Sequence, residues 1–250
     1  MSLLVCEGLE KNFDGVKALS NFSFAVKEGE ALGLMGPNGA GKTTLFNVLT
    51  GFIRADAGRA VFRGKDLIGR ASHQITRLGI SRTFQILRLI RKISVLENVL
   101  LSFPNQPGEK LGKIFLSWRS CARIEAENRE QAEALLKEYG LGEKLDHPAE
   151  ELSYGQQKLL SLVCCLASGA ELILLDEPVA GIAPEMMDRI LGIMKELPRR
   201  KKSIILIEHN LEAVMRCCDR VIFMDAGAKV CEGLPDEVRK DPRVIEAYLD

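Results

Sequence analysis

A glycine-rich stretch at residues 36–43 carries the residue types that bind phosphate. It reads GPNGAGKT, which fits the pattern G-x-x-x-x-G-K-[ST], between a predicted strand and a predicted helix. Glycines let backbone N–H groups surround phosphate oxygens, Lys42 reaches the β- and γ-phosphates, and Thr43 offers a hydroxyl to Mg²⁺. We predict a nucleotide site formed by Gly36, Pro37, Asn38, Gly39, Ala40, Gly41, Lys42, Thr43 and Thr44.

An acidic pair, Asp176 and Glu177, follows four aliphatic residues at 172–175. Such a run predicts a buried strand whose carboxyl end lies beside the phosphate loop in a parallel sheet. We assign Asp176 to Mg²⁺, directly or through water. Glu177 is predicted to orient and polarise the water that attacks the phosphate. Without the loop, a solvated strand end would be the simpler interpretation of this pair.

Alternating strands and helices are needed to bring the loop and the acidic pair together. Apolar runs predict strands at 31–35, 172–176, 203–208 and 220–225, with helices between them. Strands separated by helices pair in parallel through right-handed crossovers. The sequence therefore predicts an α/β fold with a core of mainly parallel sheet.

Two segments depart from this alternation. Short β-rich runs separated by turns fill the first thirty residues and return at 58–67, which predicts an antiparallel β subdomain. From about residue 86 to 150 the sequence is charged and helix-forming, most clearly at 122–141. We predict that this stretch is a helical subdomain inserted in one domain that spans residues 1–250.

Composition narrows the function classes. The chain has 250 residues with 34 basic and 34 acidic side chains, so a basic surface for nucleic acid is not expected. The longest run without a charge covers only residues 159–170, whereas a membrane-spanning helix needs about 20 apolar residues. Three charged side chains fall within the first eleven residues, which argues against a secretory signal. We expect a cytoplasmic protein.

The seven cysteines form no metal-binding pattern. They include two adjacent pairs and no C-x₂-C spacing, and adjacent side chains make a poor chelate. We interpret them as free thiols in a reducing compartment. The three histidines are too scattered to form a metal motif.

The segment LSYGQQ, at residues 152–157, resembles the signature sequence of ATP-binding cassette (ABC) transporter nucleotide-binding subunits. Tyr154 stands where that family usually has a glycine. Gln85 in RTFQ resembles the glutamine loop, and His209 in LIEHN resembles the switch histidine. The resemblance covers essentially the whole chain and implies the ABC ATPase fold, with its P-loop NTPase core, antiparallel β subdomain and inserted helical subdomain.

The resemblance also implies roles for these residues. Gln85 approaches Mg²⁺ and the attacking water, His209 contacts the γ-phosphate, and Phe13 stacks on adenine. Taken alone, a Gln is usually a surface residue and a His after a strand is usually structural, but their order within the motif set favours function. The residues implied to act on ATP held by a partner subunit are Ser153, Gly155 and Gln156.

The implied active unit is a dimer that holds two ATP molecules at its interface. Its second ATPase subunit is either another copy of this chain or a paralogue.

The loop after Glu177 departs from the family's pattern, because the family's usual acidic or amide residue near the end of this loop is Ala183 here. We therefore expect weaker hydrolysis or coupling and give Ala183 no role.

Finer features resemble the ATPase subunit of branched-chain amino acid importers. They are LSYGQQ, EPVAGIAPE, TFQILRLIRKISVLENV, a lengthened segment from about residue 101 to 122, and the ending DPRVIEAYLD. Urea/amide importers and lipopolysaccharide-export ATPases share much of this pattern. A soluble, non-transport ABC protein is disfavoured because the chain holds one cassette without a coiled-coil insertion. A nucleotide sensor without hydrolysis is disfavoured by the presence of both Glu177 and His209.

The resemblance implies transmembrane permease subunits as partners, an external solute-binding protein in the complete system, and a position on the cytoplasmic face of the membrane. The segment LGKIFLSWRS at 111–120 is compatible with contact to the membrane partner or to lipid, although an amphipathic packing helix is the simpler interpretation.

Overall fold

The computed structural model describes residues 2–84, 87–104, 106 and 118–247. The chain divides into two compact units. The first comprises Met1–Gln85, Glu171–Ala180 and Met187–Asp250, and the second comprises Ile86–Ala170 and Gly181–Met186. The second unit therefore contains the predicted 86–150 segment and also the helix that follows it.

All strands of the described ranges belong to the first unit. They are β1 (Ser2–Phe13), β2 (Val16–Lys27), β3 (Ala31–Met35), β4 (Ala57–Phe62), β5 (Lys65–Asp66), β6 (Ile80–Arg82), β7 (Leu172–Asp176), β8 (Ser203–Ile207), β9 (Arg220–Asp225) and β10 (Ala228–Gly233).

The α-helices of the described ranges are shared between the two units. The first unit holds α1 (Lys42–Leu49) and α2 (Ser72–Leu78). The second unit holds α3 (Val95–Leu100), α4 (Trp118–Glu138) and α5 (Tyr154–Ala167). Helix α6 (Pro184–Glu196) begins in the second unit and continues into the first. The first unit then adds α7 (Leu211–Cys217), α8 (Pro235–Lys240) and α9 (Pro242–Glu246).

The larger sheet of the first unit has the strand order β10-β9-β3-β8-β7-β6. Every neighbouring pair is parallel except β9 and β10, which form an antiparallel hairpin. All residues of β3, β7 and β8 are buried, as expected for strands covered on both faces. The predicted parallel α/β core is confirmed, and β7 has the predicted bounds.

The smaller sheet has the strand order β2-β1-β4-β5 and is antiparallel throughout. Phe22 on β2 and Phe62 on β4 are fully buried and join one apolar cluster with Phe46 of α1 and Leu174 of β7. Because the cluster includes residues of both sheets, the antiparallel subdomain and the parallel core of the first unit share a hydrophobic core.

Two short elements were not predicted from the sequence. Helix α2 is followed immediately by β6, which pairs in parallel with β7 at the edge of the larger sheet. A three-residue strand gives almost no periodic signal, so only its pairing identifies it. This edge strand matters because it places Arg82 beside the functional site.

The second unit is helical in its described part. Its α4 spans Trp118–Glu138, where the sequence indicated a helix over 122–141, and the chain turns at Gly140, whose φ is +63°. Leu136 of α4 and Val99 of α3 are fully buried. Within the described ranges, none of the helices combines the length and apolar character that crossing a membrane requires. Most of LGKIFLSWRS lies outside the described residues.

Candidate functional site

The phosphate loop connects β3 to α1 and is packed tightly against neighbouring backbone. Gly36 has φ +149° and Gly41 has φ +102°. A Cβ atom at Gly36 would lie 2.0 Å from the carbonyl oxygen of Met224, and one at Gly41 would lie 2.2 Å from that of Ala18. Any other residue at these two positions would displace the loop, so glycine is required by both conformation and space.

Lys42 is buried inside the loop. Its Nζ donates hydrogen bonds to the carbonyl oxygens of Gly36, at 2.7 Å, and Pro37, at 2.8 Å. Burial lowers the pKa of Lys42, and the negative charges of Glu177 and Asp176 oppose that shift. The ammonium is thus held at the loop by two backbone carbonyl oxygens.

A cavity of about 280 Å³ lies over the loop. Besides the loop residues from Asn38 to Thr44, it is lined by Ala18, Glu177, Ile207 and His209. The N-terminus of α1 adds a partial positive charge at this end of the cavity. The structure thus brings the loop together with Glu177 and His209, and the combination of backbone donors, a lysine and a helix N-terminus suits an anion.

Asp176 ends β7 and is held by β6. Its backbone N–H donates to Thr83 Oγ1 at 3.1 Å, and its Oδ2 forms an ion pair with Arg82 at 2.7 Å. The side chains of Arg82 and Asp176 are 5% and 4% exposed. Arg82 also donates to Asn47 Oδ1 at 2.6 Å and stacks with Phe84, 4.9 Å from its ring centre. Asp176 is therefore oriented by a buried guanidinium.

Glu177 adopts a left-handed conformation, with φ +49°. Its N–H donates to the carbonyl oxygen of Ile207 at 2.9 Å, which ties it to the end of β8. Its Oε1 lies 3.2 Å from His209 Nε2. Two side chains predicted from separate motifs are therefore within hydrogen-bonding distance, at the edge of the sheet where the phosphate loop also lies.

Glu208 was not predicted as a functional residue. It is 2% exposed, and its Oε1 accepts a hydrogen bond from the N–H of Val179 at 2.9 Å. Its Oε2 lies 3.5 Å from the N–H of Asn210, a long contact. One buried carboxylate thus joins the loop after Glu177 to the loop that carries His209. A glutamate at the end of an apolar strand was the available sequence signal.

Two predicted site residues are not among those that line the described phosphate cavity. Phe13 ends β1 and is exposed, with Lys11 Nζ 5.2 Å from its ring centre, and it does not line the described cavity. Gln85 lies outside the described residues. Its predicted roles toward Mg²⁺ and water stay predictions.

In the second unit, Ser153 caps the N-terminus of α5. Its Oγ accepts from the N–H of Gln156 at 3.3 Å, while its own N–H donates to Gln156 Oε1 at 3.0 Å. Gly155 is buried, and a Cβ there would lie 2.7 Å from the Met186 side chain. Tyr154, at the position where a glycine was expected, is exposed. Ser153 and Gln156 form a capping box, and whether they also act on a nucleotide stays a prediction.

Ala183, the departure noted in the loop after Glu177, is exposed. A methyl group there offers no side-chain hydrogen bond.

All seven cysteines are free thiols. Burial raises the pKa of Cys164 to about 12 and that of Cys217 to about 11, which disfavours the thiolate form of both side chains near neutral pH. Within the described residues, no cluster of three or more His, Cys, Asp or Glu side chains is placed to hold a metal ion.

Comparison with known proteins places this chain in a family. Residues 19–180 match the family described as ABC transporter, and residues 228–249 match one described as branched-chain amino acid ATP-binding cassette transporter. The chain is 37% identical to a probable branched-chain amino acid transport ATP-binding protein LivG of Archaeoglobus fulgidus, over 100% of this chain and 96% of that protein.

It is 38% identical to the high-affinity branched-chain amino acid transport ATP-binding protein LivG of Salmonella typhimurium, over 99% of this chain and 97% of that protein. A crystal structure of a nucleotide-free ATP-binding cassette from an ABC transporter is 35% identical, with TM-score 0.86 and full coverage of both chains. The chain belongs to the ABC transporter family and is an ATP-binding, ATP-hydrolysing subunit with the ABC ATPase fold.

Proposed function

We propose that this chain supplies ATP hydrolysis to an importer of branched-chain amino acids. The observation that carries the proposal is the likeness, over nearly the whole chain, to ATP-binding proteins named for branched-chain amino acid transport. A second match at residues 228–249, outside the general family match, supports the same assignment.

ATP phosphates bind at the loop between β3 and α1. Lys42 turns from the carbonyl oxygens of Gly36 and Pro37 toward the phosphates, where its charge balances theirs. Backbone N–H groups of residues 38–44 donate to the phosphate oxygens. Phe13, an exposed aromatic, stacks on the adenine base.

Thr43 and Asp176 offer a hydroxyl and a carboxylate, the hard oxygen ligands that Mg²⁺ prefers. Thr43 lines the phosphate cavity, and Asp176 is buried, with its Oδ2 2.7 Å from Arg82. These residues fit the ion, with Gln85 as a further oxygen donor. When bound, Mg²⁺ neutralises charge on the β- and γ-phosphates.

Glu177 acts as the base that orients and polarises the attacking water. His209, 3.2 Å away, contacts the γ-phosphate and keeps the Glu177 carboxylate directed into the cavity. Because the N–H of Glu177 is bound to β8, the carboxylate is fixed relative to the phosphate loop. This positioning supplies most of the catalysis that phosphoryl transfer needs.

The nucleotide site is completed by a second ATPase subunit, which is a further copy of this chain or a paralogue. Ser153, Gly155 and Gln156 at the start of α5 bind the γ-phosphate of ATP held by that partner. Closure of the dimer on ATP drives transmembrane permease subunits between access states, and an external protein delivers the solute. The chain is therefore peripheral, on the cytoplasmic face of the membrane.

The test is to isolate an affinity-tagged full chain from membranes of its source cells and to reconstitute the complex in vesicles. Permease subunits should co-purify, and leucine, isoleucine or valine with the external protein should stimulate ATP hydrolysis. Stimulation by urea or acetamide alone would contradict the assigned solute, and loss of all membrane partners would contradict a transport role. Glu177→Gln serves as the inactive control.

A further inference from the structure

A second cavity, of about 350 Å³, lies in the first unit among the sheet, α7 and the C-terminal helices α8 and α9. Eight of its ten lining residues are apolar, among them Met35, Val214, Val238 and Val244. Ile245 at its edge is 49% exposed, so the cavity opens to solvent. Its volume and its apolar lining are those of a small-molecule site.

The two remaining lining residues are Arg239 and His209, and no acidic side chain lines the cavity. The Arg239 side chain is exposed and makes no hydrogen bond or ion pair with any residue in the described ranges. A ligand that fits these ten lining residues needs an aliphatic body and one anionic group. An ammonium group would find no carboxylate among the lining residues and would lie close to the positive charge of Arg239.

His209 lines both this cavity and the phosphate cavity. The same imidazole lies 3.2 Å from Glu177. An anion in this cavity that contacts the imidazole would compete with Glu177 for it. Occupation of the apolar cavity is thereby linked to the ATP site through a single side chain, without a longer path.

We propose that this cavity binds a short, branched aliphatic monocarboxylate and that binding slows ATP hydrolysis by drawing His209 away from Glu177. The aliphatic chain packs against the valines and Met35, and the carboxylate pairs with Arg239. The binding step does not rest on the identity of the transported solute, so its failure and the failure of the proposed function are distinguishable.

Calorimetric titration of the nucleotide-free full chain tests the binding step. The probes are 4-methylpentanoate, the zwitterion leucine and the neutral alcohol 4-methylpentan-1-ol. We expect 4-methylpentanoate to bind at least about tenfold more tightly than the other two, since each lacks either the net charge or the carboxylate. Equal binding of all three, or no binding of 4-methylpentanoate, would overturn the proposal.

Two variants locate the site, and a third is their control. Arg239→Met should weaken 4-methylpentanoate binding by at least about tenfold while leaving the alcohol unaffected. Leu211→Trp, at a half-buried lining position, should fill the cavity and abolish binding. Lys240→Met, at the neighbouring exposed position that does not line the cavity, should change nothing. An equal loss in Lys240→Met would contradict a defined carboxylate site.

The coupling is measured as ATP turnover with and without saturating 4-methylpentanoate. We expect turnover to fall by about fivefold in the native chain and in Lys240→Met, and to stay constant in Arg239→Met, whose basal rate is unchanged. Binding without any change in turnover would overturn the regulatory role. A chain ending at Ala247 should bind equally well, and binding confined to that shortened chain would show that residues 248–250 occupy the cavity instead.

Discussion

Lys42 is the side chain on which nucleotide binding depends most, because it carries the positive charge at the centre of the loop. In Lys42→Ala the β- and γ-phosphates lose a charge-assisted contact, and we expect the affinity for a fluorescent ATP analogue to fall by at least about tenfold. Lys65→Ala, an exposed lysine on β5, is the matched control. Unchanged affinity in Lys42→Ala would place the phosphates elsewhere.

Asp241, which lies between α8 and α9, predicts how the stability of the fold depends on pH. Hydrogen bonds from Arg243 lower the pKa of Asp241 to about 2, against 3.8 for an ordinary aspartate. Since the folded-state pKa is depressed, the stabilising contribution is present above pH 3.8 and is lost as the pH falls toward 2.

The measurement is urea unfolding of the native chain and Asp241→Asn across this range. The native chain should be the more stable at neutral pH, and the difference should disappear between about pH 4 and pH 2. A difference that is independent of pH would exclude the charge of Asp241 as its origin.

At the scale of elements, the buried strands of the larger sheet hold the site in place. Leu174 of β7 is fully buried, two residues before Asp176. Leu174→Ala should lower the free energy of unfolding by about 2–5 kcal/mol because it leaves a cavity in the shared core. Leu234→Ala, at a leucine that is 58% exposed, should change it by less than about 0.5 kcal/mol in the same denaturant titration.

A substitution of Glu208 tests how the loop after Glu177 is positioned relative to the loop that carries His209. Glu208→Gln keeps the shape of the side chain and an oxygen that can accept the N–H of Val179, but it removes the negative charge that strengthens this hydrogen bond. We expect kcat to fall by about tenfold with KM for ATP and Tm nearly unchanged, because the loop after Glu177 is mispositioned and the phosphate loop is not. Glu212→Gln, an exposed glutamate on α7, should keep the native kcat.

A parallel fall in Tm and kcat for Glu208→Gln would indicate a purely structural role. Full activity would show that the negative charge of Glu208 is not needed to position the loop after Glu177.

The elements that could be predicted were those with a strong local signal. The apolar runs of β3, β7 and β9 and the glycine pattern of the loop depend only on neighbouring residues, and their predicted bounds agree with the structure. Helix α2 and strand β6 could not be predicted, because β6 is defined by pairing with a strand some ninety residues further along the chain.

The same reason explains the site residues that sequence reasoning missed. Arg82 acquires its role from its ion pair with Asp176, and Glu208 acquires its role from the N–H of Val179. Both contacts join residues that are distant in the chain and carry no spacing pattern. The loop, Asp176, Glu177 and His209 were recognisable because their motifs are local and their order is fixed.

At the scale of the whole molecule, the chain has no net charge and, in its described part, no helix that could cross a membrane. Its first unit contains the phosphate loop, Glu177 and His209, while Ser153 and Gly155 lie in the second. In the proposed mechanism these two residues serve the ATP of a partner subunit. The proposed mechanism therefore requires two ATPase subunits, each completing the site of the other.

The most direct test of this account is the mass of Glu177→Gln in solution with ATP and Mg²⁺, measured by light scattering after size-exclusion chromatography. Without the base, ATP stays intact and should hold two chains together, so the mass should double, and the additional change Lys42→Ala should restore the monomer. A Glu177→Gln chain that stays monomeric and hydrolyses ATP at the native rate would contradict both the role of Glu177 and the shared site.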